Sequence, residues 1–216
     1  MKTKYHSYKG LAAACAVAFA LTGCSMLETP PKMVPGSEAA KLYPRAAAGD
    51  AIAQYELACC YESSVYGVER NAEEEVKWFL KSAKQGYADA QYTLGLIYKY
   101  NDSNTVKKKD PKEAVRWFRA AAQAGHSGAQ YNLAKCYEEG YGGLPKDMTE
   151  AFQWYRKSAL QGDDGAMFPL AKCYDYGKGC PPSRKDAIYW YRKSIEGGFD
   201  PAYSLPYKRL KELGAL

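Results

Sequence analysis

Four alanines, Ala53, Ala90, Ala129 and Ala166, each open the same run of apolar positions. Four residues on stand Leu57, Leu94, Leu133 and Leu170. Seven on come Cys60, Ile97, Cys136 and Cys173, and eight on Tyr61, Tyr98, Tyr137 and Tyr174. Offsets 0, 4, 7 and 8 share one face of a 3.6-residue turn, so each run predicts an amphipathic helix, here called A. A second apolar run follows each, centred on Trp78, Trp117, Trp154 or Trp190, and predicts a helix B. Seven residues before each Trp stands Asn71, Asp110, Asp147 or Ser183, types that accept from the first free N–H groups of a helix. Three residues later come Glu74, Glu113, Glu150 and Asp186. In the first three units the carboxylate is placed to reach back to the cap N–H. Pro111 sits at a first helical position, where its missing N–H is not needed. Gly86, Gly125 and Gly162 suit the left-handed residue that closes helix B.

One helical pair cannot bury its own Trp, Leu and Tyr face, whereas stacked pairs bury one another's. The pattern therefore predicts an all-α fold, an αα-hairpin repeat solenoid with a right-handed, tetratricopeptide-like superhelix. Four repeats fill residues 38–198, at about 49–86, 87–125, 126–162 and 163–198, and residues 199–216 carry a C-terminal capping helix over Pro201 to Leu213. The four Trp are expected in the core, and the offset-8 Tyr as core residues whose hydroxyls reach the edge. Pro169, inside a helix A, removes a backbone bond and is expected to bend it.

Residues 1–23 read as an address. Lys2, Lys4 and Lys9 form a basic start, and Leu11 to Leu21 is an apolar run too short to span a bilayer. Leu21-Thr22-Gly23-Cys24 resembles a bacterial lipobox, which implies cleavage before Cys24 and a diacylglycerol thioether and N-acyl chain on that residue. Such chains bury methylenes at about 0.8 kcal/mol each, enough for stable anchoring. Ser25, rather than Asp, is similar to the signal for sorting to the outer membrane. The expected location is the periplasmic face of the outer membrane in the bacterial cell envelope. Residues 24–37, with Pro30, Pro31 and Pro35, are expected to be a flexible tether.

The repeats resemble the Sel-one-like repeat family, whose pattern is A-x-x-x-L-G-x-x-Y-x-x-G-x-G-V followed by D-x-x-x-A-x-x-W-Y-x-K-A-A-x-x-G. The fourth repeat carries Ala166, Leu170, Tyr174, Gly177, Gly179, Ala187, Trp190, Tyr191 and Gly198. The third carries Leu133, Tyr137, Gly140, Asp147, Ala151, Trp154, Tyr155 and Gly162. The resemblance spans about residues 46–213. The second repeat departs by replacing its glycine loop with residues 101–109, which include Lys107, Lys108 and Lys109. The first departs by holding Glu75 where later repeats hold Ala114, Ala151 and Ala187.

Composition adds little chemistry. Thirty Lys and Arg against 24 Asp and Glu give +6, and loss of the three leader lysines lowers this to +3. That excess is too diffuse to point to nucleic acid. Two histidines cannot build a histidine-rich metal centre, and seven cysteines without C-x-x-C spacing disfavour a zinc ribbon. His126 sits in a turn and reads as a solvated turn residue. Cys60, Cys136 and Cys173 read as small buried hydrophobes. Cys180, seven residues beyond Cys173 in an exported chain, suggests a Cys173–Cys180 disulfide. In cysteine-rich members of the family the bridges resemble pairs eight apart, positions held here by Ser82 and Ala90 or Ser158 and Ala166.

No catalytic set, cofactor motif or metal set is read in the sequence. Some relatives are linked to penicillin binding or β-lactam hydrolysis, yet the chain has no Ser-x-x-Lys tetrad and no G-x-S-x-G elbow. The expected function is a non-enzymatic scaffold, held to the membrane by its lipid, that binds a protein or peptide partner on a concave face built by the A helices. Helical phase assigns Tyr92, Thr93, Leu96, Tyr131, Asn132 and Lys135 to that face, unless the offset-2 aromatics pack between repeats. Two alternatives stand beside it: a regulator of a peptidoglycan or polysaccharide enzyme, and a β-lactam hydrolase.

Overall fold

The computed structural model describes residues 32–63, 66–100, 109–196 and 205–215. Ten α-helices and no strand occur among them. α1 spans Glu38–Ala47. The repeats follow as α2 (Ala51–Glu62) with α3 (Ala72–Lys84), and α4 (Ala88–Tyr100) with α5 (Pro111–Gln123). Next come α6 (Ser127–Glu139) with α7 (Met148–Leu160), and α8 (Asp164–Tyr176) with α9 (Arg184–Glu196). α10 spans Leu205–Glu212. The principal packing is between helices adjacent in sequence, as a solenoid requires.

The repeated positions behave as their phase dictates. Ala53, Ala90, Ala129 and Ala166, and the four leucines four residues on, have no exposed surface. Trp78 and Trp117 are buried, and Trp154 and Trp190 half-buried against their clusters. Gly86, Gly125 and Gly162 each take a positive φ at the end of a B helix. The Oδ1 atoms of Asn71, Asp110 and Asp147 each accept two N–H bonds of the first turn.

Three features refine the sequence reading. First, the glutamates of the capping boxes do not reach back. Glu74 and Glu150 instead accept the indole N–H of Trp78 and Trp154, both at 3.1 Å. The cap N–H groups of Asn71, Asp110, Asp147 and Ser183 donate to the main-chain carbonyls of Tyr61, Tyr98, Tyr137 and Tyr174, at 2.8–3.2 Å. Every offset-8 tyrosine thus anchors the start of its own helix B. Second, α8 runs unbroken from Asp164 to Tyr176 through Pro169. Third, the ordered solenoid is wider than four pairs. Met33 packs against the first core and the Val34 N–H donates to the Gly67 carbonyl, so the last residues of the expected tether are docked. α1 acts as a helix B: its Ala46 carbonyl accepts Gln54 as Ala83 and Ala122 accept Gln91 and Gln130. At the other end α10, at the place of the expected capping helix, packs on α9 as a terminal helix A.

Glycine is demanded where an A–B loop crosses the start of the preceding repeat's helix B. Gly179 has φ +76°, and a Cβ there would lie 1.9 Å from the Met148 carbonyl oxygen. Gly142, φ +66°, meets Pro111 in the same way in the preceding repeat.

Candidate functional site

A polar ladder runs beneath the A helices. Gln54, Gln91 and Gln130, one position after each repeat alanine, are buried, and each donates its Nε2 to the last turn of the preceding helix at 2.9–3.2 Å. The Oε1 of Gln54 accepts from Gln85, and that of Gln130 from Gln161, both at 2.7 Å. Ser82 and Ser158, fully buried, donate to the Ala51 and Ser127 carbonyls. In the second repeat Ala124 and Ala121 replace these Gln and Ser partners, and the Gln91 Oε1 is left buried and unbonded. An Ala-Gln-Tyr triplet at 53–55, 90–92 and 129–131 is the signal that could have found these glutamines, but a polar residue beside an apolar face reads as surface until its partner is known.

The six residues assigned to the binding face divide in two. Asn132 is 7% exposed and donates to the Gly128 carbonyl, and the Thr93 hydroxyl donates to the Asp89 carbonyl. Tyr92 stacks on His126 at 4.3 Å, and Tyr131 tilts against Tyr155 at 5.9 Å. Both tyrosines are half-buried between helices. Leu96 is half-buried against the core beneath α5 and α6. Lys135 is half-exposed, its ammonium 5.9 Å from the Tyr131 ring. On the next A helix Lys172 stands over Phe168 at 5.7 Å in the same way.

A groove of about 330 Å³ opens between α8 and α10, floored by Tyr191 and walled by Phe168, Lys172, Tyr176, Leu205 and Lys208. Its far wall is clamped. Arg209 donates to both oxygens of Asp175, at 2.6 and 3.0 Å, and to Glu212 at 2.9 Å, while the Tyr191 hydroxyl donates to Asp175 at 3.0 Å. The Arg209 hydrogen bonds hold the Asp175 carboxyl below the ordinary carboxylate range.

Other candidates carry structure rather than chemistry. His126 caps α6: its Nδ1 accepts the Ala129 N–H, and its Nε2 faces Asp89 at 3.4 Å. It is thus more tied down than the solvated turn residue expected. Cys60, Cys136 and Cys173 are buried, and burial pushes their thiols up to about 11, 11 and 12. Thiols held protonated are not activated nucleophiles. Cys173 and Cys180 belong to one apolar cluster but both are free thiols, so the expected bridge is not formed in the structure. Cys24, Lys107 and Lys108 lie outside the described residues, and Lys109 is exposed. No described helix is long and apolar enough to cross a membrane.

The Sel1 repeat pattern matches residues 51–87, 88–126, 127–163 and 165–199. A Sel1 repeat protein from Oxalobacter formigenes superposes with a TM-score of 0.72 at 30% identity, over 81% of this chain and 48% of its own. The protein c5321, a protective antigen of uropathogenic Escherichia coli with an SLR fold, gives 0.73 at 31% identity, over 82% of this chain and 37% of its own. The chain thus spans less than half the length of either. No curated protein sequence matches it. Four tandem matches over most of the chain, together with these solved relatives, make it a member of the Sel1 repeat family.

Proposed function

We propose that this chain is a non-enzymatic binding scaffold, lipid-anchored through Cys24 in the bacterial envelope, which holds a protein or peptide partner along the face of its A helices. Sel1 repeats generally mediate protein–protein interaction, and their scaffold is generally non-enzymatic. The observation that carries the reading is what repeat stacking leaves over. The aromatic ladder, the glutamines and the cysteines are taken up in packing, while Lys135, Lys172, Tyr100 and Tyr176 remain accessible on successive A helices. A photo-crosslinking residue at Lys135 or Tyr176, in cells carrying the anchored protein, is expected to trap a discrete partner that the same residue at exposed Gln153 on α7 does not. Equal trapping at both positions, or at neither, refutes the reading. Cys24→Ala is expected to move the protein from the membrane fraction to the soluble one; retention in membranes refutes the anchor.

A further inference from the structure

The lysines of the A-helix face keep the repeat step. Lys135, Lys172 and Lys208 are separated by 37 and 36 residues, the steps that separate Trp117, Trp154 and Trp190. They therefore recur at one position of the solenoid, on α6, α8 and α10. None of the three has a carboxylate within ion-pair distance among the described residues. On the B helices, and on the B-like α1, Lys41, Lys77 and Lys193 are each paired with a glutamate on their own helix. Lys172 and Lys208 face each other across the groove between α8 and α10. Two carboxylates beside the groove, Asp175 and Glu212, are already engaged, both by Arg209. That clamp ties α10 to α8 and fixes the groove's width before any ligand arrives, which lowers the ordering penalty of binding. The remaining walls are the Phe168 ring and the 53%-exposed Tyr176 ring, surfaces that take the stem of a side chain while its charged end meets an ammonium.

We infer that this groove and the lysine row leading to it recognise an acidic, extended peptide segment of the partner, through Glu or Asp side chains set against Lys172 and Lys208. The inference rests on the scaffold reading and names the chemistry of its partner. Phosphate groups and a free chain terminus would meet the same ammonium pair, so the test separates them.

Fluorescence polarisation of labelled hexaglutamate against the purified full chain, at about 20 mM salt where screening is weak, is the direct measurement. Binding is expected with either a free or an amidated C-terminus, and hexaglutamine is expected not to bind. The double variant Lys172→Glu/Lys208→Glu is expected to weaken hexaglutamate at least tenfold. Lys84→Glu/Lys185→Glu, with the same change of net charge on the B helices, is expected to change it less than twofold. Absence of binding, equal loss in both variants, loss on amidation, or displacement by millimolar inorganic phosphate each overturns the assignment. Crosslinking in cells distinguishes the two levels. A partner still trapped by the Lys172→Glu/Lys208→Glu chain leaves the scaffold standing and removes the acidic site, whereas no trapped partner in the unaltered chain removes the scaffold.

Discussion

Ala124 ends α5 at the place where Gln85 ends α3 and Gln161 ends α7, and the three share nearly one backbone conformation, with φ from −74° to −86° and ψ within a degree of zero. A glutamine at 124 would leave the chain in the same direction as its two counterparts and reach the Gln91 Oε1, which is buried without a donor. An unsatisfied buried acceptor costs about 1–3 kcal/mol, and a completed neutral bond returns about 0.5–1.5 kcal/mol net. Ordering an exposed glutamine offsets part of this, at up to about 1.5–2 kcal/mol when a side chain is fully immobilised. Ala124→Gln is therefore expected to stabilise the chain by about 1 kcal/mol, raising Tm by about 2–4 °C for a protein of this size. Urea and thermal melts followed by circular dichroism read both quantities. The gain must depend on its acceptor, so a double-mutant cycle with Gln91→Ala should abolish it. Gln85→Ala and Gln161→Ala should each lose about as much as Ala124→Gln gains. No gain, or a gain that survives in the Gln91→Ala background, refutes the ladder as a stabilising element.

Further outcomes follow from individual sites. Glu75 is 3% exposed, and burial, reinforced by Glu62, raises its carboxyl to about 7 from the ordinary 4.5. The folded chain then holds a proton that the unfolded chain releases, so this group's contribution is intact below about pH 4.5 and is lost as pH rises through about 7. Glu75→Gln should be more stable than the parent by about 2–3 kcal/mol at pH 8 and equal to it near pH 4.5; a difference independent of pH contradicts this. Gly179→Ala combines a positive φ with a backbone collision and is expected to cost at least about 3 kcal/mol. Gly162→Ala, with open space around its Cβ, should cost only about 1–2 kcal/mol in the same melts, and equal losses would show that the collision relaxes freely. Brief alkylation of the native chain at pH 8, read by mass mapping, should mark half-buried Cys59 and Cys180 before Cys60, Cys136 and Cys173.

Much of this architecture is written in residue spacing. The apolar offsets fix which face of each A helix is covered, the Asn, Asp and Ser caps fix where each B helix begins, and Gly86, Gly125 and Gly162 fix where three of them end. These signals are local, each set within a turn or two of helix. What spacing could not decide was which partner a polar atom takes. The cap N–H of Asn71 is already taken by the Tyr61 carbonyl, which leaves Glu74 to accept from the Trp78 indole. Trp117 shows the alternative: Glu113 turns to Arg116, and the Trp117 N–H stays unbonded. Phase placed Asn132 and Lys135 on one surface, but only the stacked neighbour decides that Asn132 is covered and Lys135 is not. The N-terminal half-repeat was hard to see for a related reason. α1 lacks the tryptophan, and its kinship with the B helices lies in a main-chain acceptor at Ala46.

The tyrosine carbonyls that receive the B-helix caps act at separations of ten, twelve, ten and nine residues along the chain. Because the receiving atom belongs to the main chain, the cap bond itself makes no demand on loop sequence; that demand comes from Gly142 and Gly179, where the third and fourth loops cross the preceding B helix. Loop closure grows only slowly with length, about 0.6 kcal/mol per doubling. The second A–B connection, which has no glycine in its sequence, is therefore a socket into which evolution, or an engineer, can graft a foreign segment. The second repeat, with its longer and lysine-rich connection, carries the widest departure among the four, and a relative could acquire a new specificity by changing that connection alone.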